Sequence, residues 1–218
     1  MLRYLLSVPS GQPDDASLPL VVVLHGRGAD ANDLADLAPM MDGPGGYRFV
    51  FANAPTPFEP YPGMTFGYSW FDGWPPTRDS IAESRRLVMK FIDEALDRYP
   101  APPGKLILAG FSQGGLMAFD AGFRTAQPHA GIVVMSGALY EEDLPNLDTK
   151  RTERVLILHG SDDEVIPVIN ARRARNVLEE HGLQPEYHEL PMGHWVTEES
   201  MGLVGDFIRR CFGAPLAK

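Results

Sequence analysis

Hydrophobic positions along the chain fall into short, nearly unbroken runs, separated by longer stretches in which apolar residues return every three or four positions. The runs are Leu20–Leu24, Arg48–Ala52, 105–109, Gly131–Met135 and 155–158. Strands that are apolar on both sides suit a sheet covered on both faces. Between them, residues 79–99 carry Ile81, Val88, Phe91, Ile92 and Ala95 near one helical face, with Ser80 and Glu83 spaced as a capping box and Pro100 beyond the end. Further helices are expected over 30–41, 113–125, 168–181 and 196–212, with Gly182 as a stop for the fourth of these five. Strand and helix alternate, and parallel neighbours need crossover connections. The expectation is therefore one α/β domain over residues 1–218, with a mostly parallel central sheet, helices on both faces and no separate lid domain.

Two segments break the alternation. Residues 53–78 lack clear periodicity, yet Phe58, Tyr61, Phe66, Tyr68, Trp70, Phe71 and Trp74 crowd into 17 positions, a third of the 21 aromatics in the chain. Disordered segments are poor in aromatics, so a functional loop is expected here. Residues 140–154 read as an acidic, solvated connection containing Pro145. The charge balance, 19 basic against 29 acidic residues for a net −10, would repel phosphate-rich partners and argues against nucleic acid. Cys211 is the single cysteine, which rules out an intrachain disulfide and fits a cytoplasmic location, with the thiol as a small buried group near the end of the last helix. Residues 1–10 lack the apolar core of a secretory leader, and no stretch approaches the roughly 18–20 apolar residues of a membrane span.

Candidate chemistry starts at Gly110-Phe111-Ser112-Gln113-Gly114. This pattern makes a sharp turn between strand and helix that presents a serine, and larger residues at either glycine would collide across it. Its setting, after the strand 105–109 and before the helix 113–125, is the one such a turn requires. A serine hydroxyl is a weak nucleophile near neutral pH and needs a base, itself oriented by an acid, in the chain order serine, acid, histidine. That order excludes His129 and His159, while His181 and His188 fall near a helix end and inside a strand. His194, in Pro191-Met192-Gly193-His194-Trp195 between the last strand and last helix, is the base candidate. Asp162, Asp163 and Glu164 all follow the strand 155–158, and spacing alone does not choose among them. The glycines of Leu24-His25-Gly26-Arg27-Gly28-Ala29-Asp30 allow backbone N–H groups to turn toward an oxyanion, and the amide after the serine, that of Gln113, is the usual second donor. His25 reads as a structural hydrogen bonder. No His/carboxylate cluster has metal-ligand spacing, so no cofactor is expected.

Together these motifs resemble the small phospholipase/carboxylesterase family of α/β hydrolases, which includes the acyl-protein thioesterases. The resemblance rests on Leu24 to Gly28, Ser69-Trp70-Phe71-Asp72, Gly110 to Gly115, His159-Gly160 with Asp163 and Pro167, and Gly193-His194. It implies the α/β-hydrolase fold, a catalytic Ser112–His194–Asp163 set and oxyanion donation by the backbones of Arg27 and Gln113. Arg27 stands where many relatives carry a small or apolar residue, Trp195 is bulky, and residues 53–68 lack the acyl-protein thioesterase pattern. The expected activity is therefore serine carboxylesterase action on short- to medium-chain esters, with thioester or lysophospholipid hydrolysis, or a non-catalytic binding module, as alternatives. Tyr68, Trp70, Phe71, Trp74 and Trp195 are expected to border the substrate, with Trp70 the more structural of them. The expected partner is a small-molecule ester, without nucleic acid or integral membrane association, on a monomer or homodimer.

Overall fold

The computed structural model describes residues 2–8, 16–42, 46–73, 76–140 and 153–213. In chain order its elements are β1 (Tyr4–Ser7), β2 (Leu20–Leu24), α1 (Ala31–Ala35), α2 (Ala38–Asp42), β3 (Arg48–Ala52), β4 (Thr56–Phe58), β5 (Gly67–Ser69), α3 (Arg78–Arg98), β6 (Leu106–Phe111), α4 (Gln113–Gly122), β7 (Gly131–Met135), β8 (Arg154–Gly160), α5 (Ile169–Glu180), β9 (Glu186–Leu190) and α6 (Glu198–Phe212). Seven strands form one sheet in the order β1-β3-β2-β6-β7-β8-β9. All pairings in it are parallel except that of β1, which runs antiparallel along the edge of β3.

The unbroken apolar runs become strands because each face of the sheet meets its own helical layer. In β2, Leu20, Val22 and Leu24 point into a core shared with α3, α4 and α5, while Val21 and Val23 enter a second core with α1, α2 and α6. Both sets are buried to within 1% of full exclusion from solvent, which is why the run shows no polar alternation. On α3, Ile81, Val88, Phe91, Ile92 and Ala95 make the buried stripe that its spacing predicts. A fully buried large apolar side chain of this kind contributes roughly 1.5–3 kcal/mol.

Several expectations are corrected locally. The capping box at Ser80 and Glu83 does not form: Thr77, in extended backbone, caps α3 and accepts from the Ser80 N–H, while Glu83 pairs with Arg86 on the exposed side. The expected helix 30–41 is two short helices. Asp30 and Asp33 form the capping box of α1, and Pro39 has no N–H to give the carbonyl of Ala35, so the chain turns before α2. The aromatic segment is not a plain loop. Thr56–Phe58 pairs antiparallel with Gly67–Ser69 around a turn in which Gly63 takes φ +77°. The acidic connection 140–154 falls mostly outside the described residues. Among the described residues, no helix is long and apolar enough to cross a membrane.

Candidate active site

Strand order reverses on either side of β2: β3 lies to one side and β6 to the other. Ligands of open α/β sheets bind beyond the carboxyl ends of the strands at such a reversal. Leu24 and Gly110 are register partners there, which sets the turn after β2 beside the turn after β6. At the second turn Ser112 takes φ 55° and ψ −119°, a conformation side chains rarely adopt. The flanking glycines are required by contact. A Cβ on Gly110 would stand 2.1 Å from the Gly114 carbonyl oxygen, and one on Gly114 would stand 2.0 Å from that of Leu24. Ser112 precedes α4 without capping it through its side chain, so the hydroxyl is left for another partner.

That partner is His194. Its Nε2 lies 2.9 Å from Ser112 Oγ, and its Nδ1 lies 2.8 Å from Asp163 Oδ2. The ring rests against Phe111 at a centroid distance of 4.9 Å, a contact that the residue pattern alone does not signal. Of the three carboxylates after β8, only Asp163 is buried and reaches the imidazole; Asp162 and Glu164 are exposed. Asp163 Oδ1 accepts the N–H groups of Val165 and Ile166 at 2.9 and 2.8 Å, leaving Oδ2 aimed at His194. The loops carrying the acid and the histidine are stitched together, because Ser161 and Asp162 donate backbone N–H groups to Leu190 and Met192. Gly160 permits the crossing: a Cβ there would lie 2.1 Å from the Met192 carbonyl oxygen. His159, wholly buried, donates from Nε2 to the Ile166 carbonyl at 2.7 Å, and burial pushes its pKa down.

The Arg27 and Gln113 main-chain amides have no protein acceptor among the described residues. The turn carrying Arg27 is held from outside, since the Gly28 N–H donates to the Tyr68 carbonyl and the Tyr68 N–H to the Ala29 carbonyl, at 2.8 and 2.9 Å. Gln113 is fixed by its side chain, which accepts from the Trp70 N–H at 3.0 Å and donates to the Phe71 carbonyl at 2.8 Å. His25 is structural, as expected. Its Nε2 accepts the Ala54 N–H, its Nδ1 donates to the Gly26 carbonyl, and burial lowers its pKa.

A cleft of about 230 Å³ opens over Ser112, lined by Arg27, Gly73, Gln113, Val165 and Ile166. The expected aromatic wall is corrected on this point. Trp70 is 1% exposed and donates its indole N–H to the His25 carbonyl, and Phe71 is packed in the same core. Tyr68 faces a separate depression with Leu2, Asn53 and Pro57. Trp195 is 59% exposed and folds back over Gly193. Trp74 lies outside the described residues. The Ser69–Phe71 stretch therefore braces the turns of His25 and Gln113, while Val165 and Ile166, from the loop after β8, line the cleft. Among the described residues, no group of three His, Cys, Asp or Glu side chains is placed to hold a metal ion.

Comparison with known proteins agrees with the fold. A crystal structure of esterase PE8 superposes with a TM-score of 0.82 at 28% identity, covering 96% of this chain and 98% of that one. A protein of Oryza sativa subsp. japonica, named a probable carboxylesterase, is 29% identical over 87% of this chain and 86% of its own length. Acyl-protein thioesterase 1 of Neurospora crassa is 27% identical over 56% of this chain, and the match spans only 50% of that relative. The family model described as phospholipase/carboxylesterase matches residues 10–212. The chain belongs to the phospholipase/carboxylesterase family.

Proposed function

We propose that this chain is a cofactor-free serine carboxylesterase that hydrolyses short- to medium-chain esters through an acyl-enzyme. The observation that carries the reading is the unbroken relay from Ser112 Oγ through His194 to Asp163, set beside two uncommitted main-chain amides. His194 Nε2 takes the Ser112 proton as Oγ bonds to the ester carbonyl carbon. The carbonyl oxygen becomes an oxyanion within reach of the Arg27 and Gln113 N–H groups. Such preorganised donors stabilise the developing charge, and one of them is worth about 3 kcal/mol in comparable enzymes. Collapse breaks the bond to the alcohol oxygen, which leaves with the proton held by His194. Water, deprotonated by the same nitrogen, then attacks the acyl carbon and frees the acid and Ser112. Asp163 keeps the Nδ1 proton in place and stabilises the imidazolium at each step.

The cleft, at about 230 Å³, is below the roughly 300–1,000 Å³ usual for drug-sized ligands, which supports short acyl groups. A second reading, thioester hydrolysis by the same residues, is favoured by relatives named acyl-protein thioesterase 1. A cytoplasmic location accords with the half-buried Cys211, whose thiol burial pushes up to about 11 and so keeps protonated. Turnover of a panel of esters, thioesters, lysophospholipids and amides decides between the readings. The carboxylesterase reading expects the highest kcat/KM on esters of acids with two to eight carbons; a rate climbing steadily to palmitoyl, or preference for thioesters, contradicts it.

A further inference from the structure

The proposed reaction uses Arg27 only through its main-chain N–H, which leaves the side chain without a part. Arg27 is exposed and borders the same cleft as Ser112, and its guanidinium lies over the Phe58 ring, 4.7 Å from the centroid. The seating is tight. Gly28 takes φ +78°, and a Cβ there would lie 3.0 Å from Phe58, so turn and ring are in direct contact. Among the described residues, Arg27 pairs with no carboxylate. The two acids nearest along the chain are engaged in capping α1: Asp30 accepts the Asn32 N–H at 2.7 Å, and Asp33 accepts the Asp30 N–H at 2.8 Å.

A guanidinium is charged at every working pH, and a ring beneath it fixes its plane while leaving its N–H fork open. The chain as a whole carries −10, so its long-range field does not gather anions. Among the described residues that line the cleft with Ser112, Arg27 is the one cation and Val165 and Ile166 are apolar, which makes it instead a local partner for negative charge. We propose that Arg27 selects esters bearing an anionic group, a carboxylate or a phosphate, within a few atoms of the scissile carbonyl. The inference rests on the ester-hydrolase reading and narrows its substrate class.

Two matched pairs of aryl esters test it. In one, glutaric acid monoester is compared with its terminal carboxamide, placing the charge on the acyl side; in the other, 3-carboxyphenyl butyrate is compared with 3-carbamoylphenyl butyrate, placing it on the alcohol side. The expected result is an anionic-to-neutral ratio of kcat/KM of about ten or more in one pair, carried mainly by KM. Arg27→Gln brings that ratio to about one, Arg27→Lys retains part of it, Phe58→Leu lowers it, and raising the salt narrows it. A ratio near one in both pairs, or one that Arg27→Gln leaves unchanged, overturns the proposal while ester hydrolysis stands. Failure to turn over all four esters overturns the hydrolase reading, and this one with it.

Discussion

Asp163 shows what a single side chain contributes and what sequence leaves open. Three carboxylates follow β8, and the chain offers no local rule to separate them; burial does, because only Asp163 turns inward to two backbone N–H groups and the imidazole. Replacing it by Asn removes the acceptor that fixes the Nδ1 proton, and a drop in kcat on the order of 10⁴-fold is expected, by analogy with serine proteases. Asp162→Asn, at an exposed position, is expected to stay within a few fold. Steady-state kinetics of the two variants on one ester checks this, and equal losses would refute it. Ser112 and His194 are legible in the sequence because steric demand confines them to recognisable turns. The contact of Phe111 with His194 is not, since the steric demand of that turn falls on its glycines and leaves the packing of the residue between them unannounced. The aromatic residues mislead for a related reason: composition reveals that Trp70 and Phe71 are buried or bound, while only the chain path shows that they lie under Gln113 and outside the cleft.

The elements themselves are anticipated wherever their hydrophobic period is long. All five apolar runs are strands, and α3, α5 and α6 lie within two residues of their expected bounds. Short elements escape. β1, β4 and β5 hold three or four residues each, and β1 is half exposed on a sheet edge, so no apolar run announces it. The split of residues 30–41 and the cap at Thr77 depend on individual hydrogen bonds that the apolar period does not record. The turn joining β6 to α4 has the strictest requirement of any connection near the site. Gly114→Ala would drive a Cβ to 2.0 Å from the Leu24 carbonyl oxygen, a rigid main-chain atom. Overpacking of this kind costs about 1–3 kcal/mol, and the displaced β2 turn carries Arg27. The expected outcome is a lower denaturation midpoint together with lost activity, whereas Gly202→Ala, inside α6 where a Cβ meets open space, is expected to keep activity and to raise the midpoint slightly, since Ala is about 1 kcal/mol better than Gly in a helix. Chemical denaturation and ester turnover on both variants make the comparison.

At the scale of the whole molecule, two buried imidazoles tie stability to pH. His25 and His159 lie at the ends of β2 and β8, are 1% and 0% exposed, and have pKa values lowered by burial. As pH falls below about 6.5 the unfolded chain takes up protons that these rings refuse, so stability declines until the folded rings are protonated too. Each ring contributes a slope of up to about 1.4 kcal/mol per pH unit within its window. Denaturant midpoints should therefore be lower at pH 5.5 than at pH 7.5, and an unchanged or higher midpoint at the acid end would contradict this. The same architecture, with three loops from the ends of β6, β8 and β9 meeting at one rim, underlies the central claim that Ser112 is an activated nucleophile. The most direct measurement is the mass of the intact protein after exposure to a fluorophosphonate, followed by peptide mapping of the adduct. One equivalent on Ser112, lost in Ser112→Ala and strongly slowed in His194→Ala, is the result the account predicts; a folded protein that stays unmodified, or is modified elsewhere, would contradict it.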